Sequence, residues 1–157
     1  MQSTKASIRY AKAIFSLAKE ENVVDHVLSD FKAVNLIINE KTEFLSLIQD
    51  PTIKSQNKID LFKKAFQHTL HATTTKFLIL VFQKGRETIL SQIIEKYQTL
   101  YNLDKGIFMV EIISSQPLSQ EIKEALKKKV RTTGQVFLKE TIDKNILGGF
   151  IINSGDL

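Results

Sequence analysis

The chain contains no cysteine and no tryptophan, and only two prolines and six glycines in 157 residues. Without cysteine there can be no disulfide framework, no thiolate metal site and no cysteine nucleophile. Long apolar runs are missing too. The longest, residues 77–82, has six residues, far below the roughly 20 needed for a helix to span a bilayer. The opening MQSTKASIRYAKAIF has neither a continuous apolar stretch nor a small-residue cleavage site, so a signal peptide is not expected. The plain reading is a soluble, cytoplasm-facing protein. No block of one charge sign exists either. The net charge is +5 and the pI about 9.3. Residues 1–104 carry 14 Lys/Arg against 11 Asp/Glu, and residues 105–157 carry 8 against 6. Nucleic-acid binding normally uses a focused basic patch. The densest cluster, Lys127, Lys128, Lys129 and Arg131, reads first as the solvated face of an amphipathic helix. A basic helical RNA-binding adaptor module is the alternative.

Catalytic constellations are equally scarce. Gly148-Gly149 lacks the further glycine and the Lys-Ser/Thr that a phosphate-cradling loop requires, and fits a close backbone approach better. Three histidines are present: His26, His68 and His71. His68 and His71 stand three apart at or just past a helix end, a spacing that metal ligands use. No carboxylate lies within a turn of the pair, so favourable placement at a helix C-terminus is the simpler account. Carboxylate pairs such as Glu20-Glu21 fall at helix ends and read as solvated. No metal, cofactor or catalytic residue is expected, and the chain is read as a non-enzyme.

What is present is a globular composition, 43% hydrophobic and 25% charged, with ten phenylalanines to build a core. Five of the six glycines lie at or after Gly106, as does the β-rich sequence, which places a boundary near residues 102–106. Before it, the 3.6-residue periodicity predicts six helices. The first spans 5–20. The second spans 23–39, with Val24, Val27, Leu28, Phe31, Val34 and Ile38 on one face. A short third holds Phe44, Leu45 and Ile48 and must end before Asp50, because Pro51 disfavours helix in the residue ahead of it. The fourth covers 55–70, with Ser55 as N-cap and Ile59, Phe62, Phe66 and Leu70 inward. The fifth covers 74–84, with Gly85 at its C′ position. Residues 77–82 could be a strand by composition alone. Their neighbours favour a helix, and one apolar on every side belongs at the centre of its bundle. The sixth covers 87–103, with Leu90, Ile93, Ile94, Tyr97 and Tyr101 on one stripe.

After the boundary, 107–113 reads as a strand. Ser119 caps a helix over 120–132 with Ile122, Ala125, Leu126 and Val130 inward, ended by Gly134. Two further strands, 136–142 and 149–153, flank a turn at Asp143–Asn145. The fold class is therefore mainly α: a six-helix N-terminal bundle, residues 1–104, followed by a small α/β part, residues 105–157, in the order strand-helix-strand-strand.

The first helix carries more apolar surface than one packing partner needs. On a helical wheel Ile8, Ala11, Phe15 and Ala18 line one stripe and Tyr10, Ala13, Ile14 and Leu17 the adjoining one. Together they cover an arc of roughly 220°, about twice that of an ordinary surface helix. Two packings satisfy such a helix. It can lie at the centre of its own bundle. Alternatively it can leave a groove for a partner's amphipathic helix, floored by Tyr10, Ala13 and Ile14 and walled by another helix, with the small Ala13 letting a partner backbone come close.

At these residues the chain resembles the delta subunit of bacterial F-type ATP synthases, whose mitochondrial counterpart is the oligomycin-sensitivity-conferring protein. RYAKAIFSLA at 9–18 is similar to that family's opening helix. FLILVFQKGRETIL at 77–90 resembles its fifth helix, Gly-Arg turn and start of the sixth. YQTLYNLDKGIFMVEIISSQPLS at 97–119 resembles its passage into the C-terminal part, and ILGGFIINSGDL at 146–157 its closing strand pair. Arg86, in the Gly-Arg turn, reads as a capping or bracing residue between two helices. Family members continue past the Gly-Asp turn with another strand and a short basic helix. This sequence stops at Leu157, so the C-terminal part is expected to be incomplete.

The resemblance implies a non-catalytic stator subunit, peripheral to the cytoplasmic face of the bacterial cell membrane and present as a monomer within the complex. It implies that residues 1–104 clamp the N-terminal helices of the alpha subunits and that residues 105–157 contact the b subunit of the peripheral stalk. It implies a groove for the alpha helices made by Tyr10, Ala13, Ile14 and Leu17 on the first helix with Lys76, Phe77 and Leu80 on the fifth. No nucleic acid and no cofactor are implied.

Overall fold

Thr4 begins the first helix by accepting the Ser7 amide on its side chain, while the Ser7 hydroxyl donates back to the Thr4 carbonyl. In the computed structural model, which describes residues 4–40, 42–66, 69–129, 134–143, 145–146 and 149–153, the elements follow in this order: α1 (Lys5–Glu20), α2 (Val24–Glu40), α3 (Thr42–Gln49), α4 (Ser55–Ala65), α5 (Ala72–Gln83), a 3₁₀ turn (Glu87–Ile89), α6 (Leu90–Asp104), β1 (Ile107–Ser114), α7 (Gln120–Lys129), β2 (Gln135–Ile142) and β3 (Phe150–Asn153). The mainly helical class and the strand-helix-strand-strand ending match the sequence reading. The chain divides into two units, Met1–Tyr101 and Asn102–Leu157.

In the first unit, α1 buries Ser7, Ala11, Ile14 and Ala18, mostly small residues that permit close helix contact. Its end is set by Asn22, which adopts φ +58°, while the Val23 amide closes onto the Ala18 carbonyl at 2.8 Å. The turn after α5 is built the same way. Gly85 sits at φ +60°, the Gly85 amide reaches the Phe82 carbonyl, and the Arg86 amide reaches that of Val81 at 3.0 Å. Arg86 thus serves the turn through its backbone. Aromatic rings knit the core: Phe31 lies 5.0 Å from Tyr97 and 6.1 Å from Phe77, Phe15 lies 5.4 Å from Tyr97, and Phe62 lies 5.2 Å from Phe82.

Two ionic arrangements fix the termini of these helices. The buried Asp30 carboxylate accepts the His71 amide at 2.8 Å and the Thr74 hydroxyl at 2.6 Å, holding the start of α5 against α2. Lys58 on α4 bonds Glu87 in the 3₁₀ turn, with side chains only 3% and 8% exposed. The second Glu87 oxygen meets no hydrogen-bond partner among the described residues.

The structure corrects several expectations. Lys54, not Ser55, is the N-cap of α4, and α4 ends at Ala65 rather than 70 because Phe66 leaves the helical region to close the turn. His71 is not a C-terminal helix residue. It is the N-cap of α5, its Nδ1 accepting the Thr73 amide at 3.3 Å, and its ring stacks on His26 at 5.8 Å. His68 lies outside the described residues. On α5, Leu80 is 43% exposed, so residues 77–82 are not enclosed on every side.

In the second unit β1 is the central strand, parallel to β2 and antiparallel to β3. The last two strands therefore pair with β1 and not with each other across the Asp143–Asn145 turn. Val110, Ile112 and Leu126 form a small core, joined by Leu118, Val136 and Leu138. Only Leu126 of the four residues expected inward on α7 is buried; Ile122 and Ala125 are exposed, and Val130 lies outside the described residues. The helix is rotated because Lys123 turns toward the sheet, where it pairs with Glu140 of β2 at 2.7 Å.

Candidate functional site

A groove of about 400 Å³ opens between α1 and α5, lined by Arg9, Tyr10, Ala13, Ile14, Leu17 and Glu21 on one side and Thr73, Lys76, Phe77 and Leu80 on the other. All seven residues named from the sequence, Tyr10, Ala13, Ile14, Leu17, Lys76, Phe77 and Leu80, meet here. The helical repeat explains why. Arg9, Ala13, Leu17 and Glu21 recur every four residues and form one ridge of α1; Tyr10 and Ile14 form the next. Thr73 with Phe77, and Lys76 with Leu80, form matching ridges on α5.

Depth varies across these ridges. Ile14 and Phe77 are buried and make the base, and the Tyr10 ring meets Phe77 edge-on at 6.3 Å. Ala13 is exposed, so no described residue of this unit closes the space above it. Leu17 and Leu80 stand on the two lips, 40% and 43% exposed. Neither leucine would face water without cost, since each large apolar side chain gains about 1.5–3 kcal/mol on burial. Residues 77–82 thus serve two surfaces: Leu78, Val81 and Phe82 fill the core while Phe77 and Leu80 line the groove.

Arg9, Glu21 and Thr73 were not singled out from the sequence, although their four-residue spacing from Ala13, Leu17 and Phe77 carried the signal. Glu21, read as solvated, accepts a hydrogen bond from the Thr73 hydroxyl. This bond ties the end of α1 to the start of α5 and fixes the width of one end of the groove. Arg9 and Lys76 are exposed on its walls. Such a site has apolar anchors and charged edges. Its chemistry suits docking.

Other candidates fare differently. Among the described residues no group of three or more His, Cys, Asp or Glu is placed to hold a metal ion. Gly148 lies outside the described residues. In the basic cluster, Lys127 pairs with Glu124 at 3.1 Å, and α7 also carries Glu121, so its face is of mixed charge; Arg131 lies outside the described residues. No helix among them is long and apolar enough to cross a membrane.

Known proteins resemble this chain over nearly its full length. A family model described as "ATP synthase delta (OSCP) subunit" matches residues 6–157. The ATP synthase subunit delta of Flavobacterium psychrophilum is 33% identical across 99% of this chain and 89% of its own. The cyanelle ATP synthase subunit delta of Cyanophora paradoxa is 32% identical across 97% of this chain and 83% of its own. Among solved structures, a chain of the Toxoplasma gondii mitochondrial ATP synthase hexamer shares the fold with a TM-score of 0.71 at 22% identity, covering 98% of this chain and 88% of that one. A chain of the Polytomella F-ATP synthase gives 0.60 at 18% identity, covering 67% of this chain and 93% of that one.

Proposed function

Because the chain belongs to the ATP synthase delta (OSCP) subunit family, we propose that it is a non-catalytic stator subunit joining the catalytic head to the peripheral stalk of a proton-translocating ATP synthase. Its N-terminal unit holds the N-terminal helices of the alpha subunits, and its C-terminal unit contacts the b subunit. It works at the cytoplasmic face of a bacterial membrane, peripheral and as a single copy, without a cofactor.

The groove between α1 and α5 carries this reading. It offers an apolar base of Ile14 and Phe77, a gap above Ala13, and leucines on both lips. An amphipathic helix entering it would present anchors at positions i, i+3, i+4 and i+7. Four anchors yield roughly 6–12 kcal/mol of burial, against an association cost of roughly 4–15 kcal/mol. One helix alone therefore binds modestly. Holding head and stalk at once makes the later contacts intramolecular and raises the retained affinity. A stator that must resist torque gains from two separate units of this kind.

The test is reconstitution with catalytic heads depleted of this subunit. Co-elution of the full chain with the heads, lost when Leu17 and Leu80 are both changed to Asp, is the expected result. Failure of the unaltered chain to associate would overturn the reading.

A further inference from the structure

The charges of the first unit are unevenly placed. With their capping residues, α1 (Thr4–Glu21) and α5 (His71–Lys84) carry six Lys/Arg, namely Lys5, Arg9, Lys12, Lys19, Lys76 and Lys84, against Glu20 and Glu21. The remainder of residues 1–101 carries eight against eight. The basic excess of this unit therefore belongs to the two helices that wall the groove.

Within the groove the same imbalance holds. Arg9 and Lys76 line it, both exposed, and neither meets a carboxylate among the described residues. Glu21, the one acid of the lining, already accepts the Thr73 hydroxyl and lies at the C-cap of α1. Two unpaired cations flanking an apolar trough make a complementary surface for opposite charges set beside an apolar stripe.

We infer that the groove selects an amphipathic helix whose apolar stripe is flanked by carboxylates, Arg9 and Lys76 each facing an acidic side chain of the occupant. This rests on the groove being a helix-docking site and adds the charge of the helix it takes. Exposed ion pairs at a rim add little to affinity. Their main effect is on encounter rate and on the exclusion of wrongly charged partners. A basic helix of equal apolar content is repelled by Arg9, Lys76 and the surrounding lysines.

The test uses the full chain and three labelled amphipathic peptides with the same apolar stripe, flanked by Glu, Gln or Lys, followed by fluorescence anisotropy and stopped flow. The Glu-flanked peptide should bind tightest and the Lys-flanked one weakest. The spread should be about ten-fold or more at low salt, mostly in the association rate, and should shrink at high ionic strength as the charges are screened. The double variant R9E/K76E should reverse the order. Equal binding by all three peptides would overturn the charge selection and leave helix docking intact. Binding by none would overturn docking itself. A Glu preference that survives Ala13→Trp unchanged would place the recognition outside the groove and overturn the inference, as would displacement of the bound peptide by a single-stranded RNA.

Discussion

The Tyr97 hydroxyl on α6 donates to the Val24 carbonyl at the start of α2, 3.0 Å away and 73 residues earlier in the chain. The ring beneath it is fully buried against Phe15 and Phe31. This single side chain closes the bundle, because α6 is the last helix and α2 one of the first. Tyr97→Phe keeps the ring and removes the bond, so it should cost about 0.5–1.5 kcal/mol in urea unfolding. Burial, with the Asp25 charge and then Tyr101 adding to it, holds the Tyr97 phenol far above its ordinary value near 10. The folded state thus keeps a proton that the unfolded state releases. Stability from this group is complete below pH ~10 and falls as the pH rises above it. Thermal melts at increasing alkaline pH should show that loss, and Tyr97→Phe should reduce it.

Lys58 and Glu87 form the buried ion pair that joins α4 to the turn before α6. Removing one partner strands the other charge in an apolar setting, which costs about 3–5 kcal/mol, whereas replacing both by apolar residues of similar size is often close to neutral. Lys58→Met alone should therefore lower the denaturation midpoint sharply. Adding Glu87→Leu should restore most of it. A double variant as unstable as the single one would show that the pair orients the turn through more than its charge.

Much of this was legible in the sequence, and the failures have physical causes. The 3.6-residue period fixed the helices to within a few residues, because each buries a continuous stripe. It also marked the surplus on α1, since Tyr10, Ala13 and Leu17 extend the apolar arc past what one neighbour can cover. The buried pair was hidden because Lys and Glu are rarely buried, although Lys58 stands four residues before Phe62 on the same stripe. The cap of α5 was hidden because imidazole is not among the usual N-cap groups. Strand order was beyond local patterning. Whether β2 and β3 join each other or share β1 depends on which edges meet, and alternation along one strand does not encode that. The rotation of α7 followed from a charge on another element, Glu140, drawing Lys123 inward.

Ala13 is exposed at the middle of the groove, so a large side chain there should fill the trough without disturbing the core. Ala13→Trp is expected to keep the far-ultraviolet spectrum and the melting temperature. It should weaken binding to an alpha-subunit N-terminal peptide by ten-fold or more in calorimetry, which corresponds to about 1.4 kcal/mol. Unchanged affinity would remove α1 from the docking surface.

Glu140 on β2 receives the Lys123 ammonium and then the Leu118 amide, and these two bonds lower its pKa below the ordinary carboxylate value. A depressed folded pKa means that the ionised form is favoured by folding. The contribution is present above the unfolded value and is lost as the pH falls through the folded one. An NMR titration of the glutamate side chains should find Glu140 titrating below the ordinary carboxylate range. Lys123→Ala should move Glu140 upward and release α7 from the sheet, seen as faster amide exchange across Gln120–Lys129.

Gly134 and Gly106 meet where β1 and β2 begin their parallel pairing. The Gln135 amide donates to the Gly106 carbonyl at 2.8 Å. A Cβ built on Gly134 would lie 1.9 Å from that same carbonyl oxygen and 2.6 Å from a Phe108 ring carbon. Backbone cannot yield as a side-chain tip can, so Gly134→Ala must push the strands apart at their first rung. The expected cost is about 1–3 kcal/mol, as for other overpacked sites, and the small core around Val110, Ile112 and Leu126 has little to offset it. Gly85→Ala is the matching control. It has open space around the added carbon but φ +60°, so its cost is conformational, about 1–2 kcal/mol, and falls on the turn between α5 and α6. Residue-resolved hydrogen exchange separates the two. Gly134→Ala should speed exchange along β1 and β2 while leaving α2 and α6 protected, and Gly85→Ala should act at Arg86 and the 3₁₀ turn alone. Loss of protection in α2 and α6 from Gly134→Ala would show that the two units do not unfold separately.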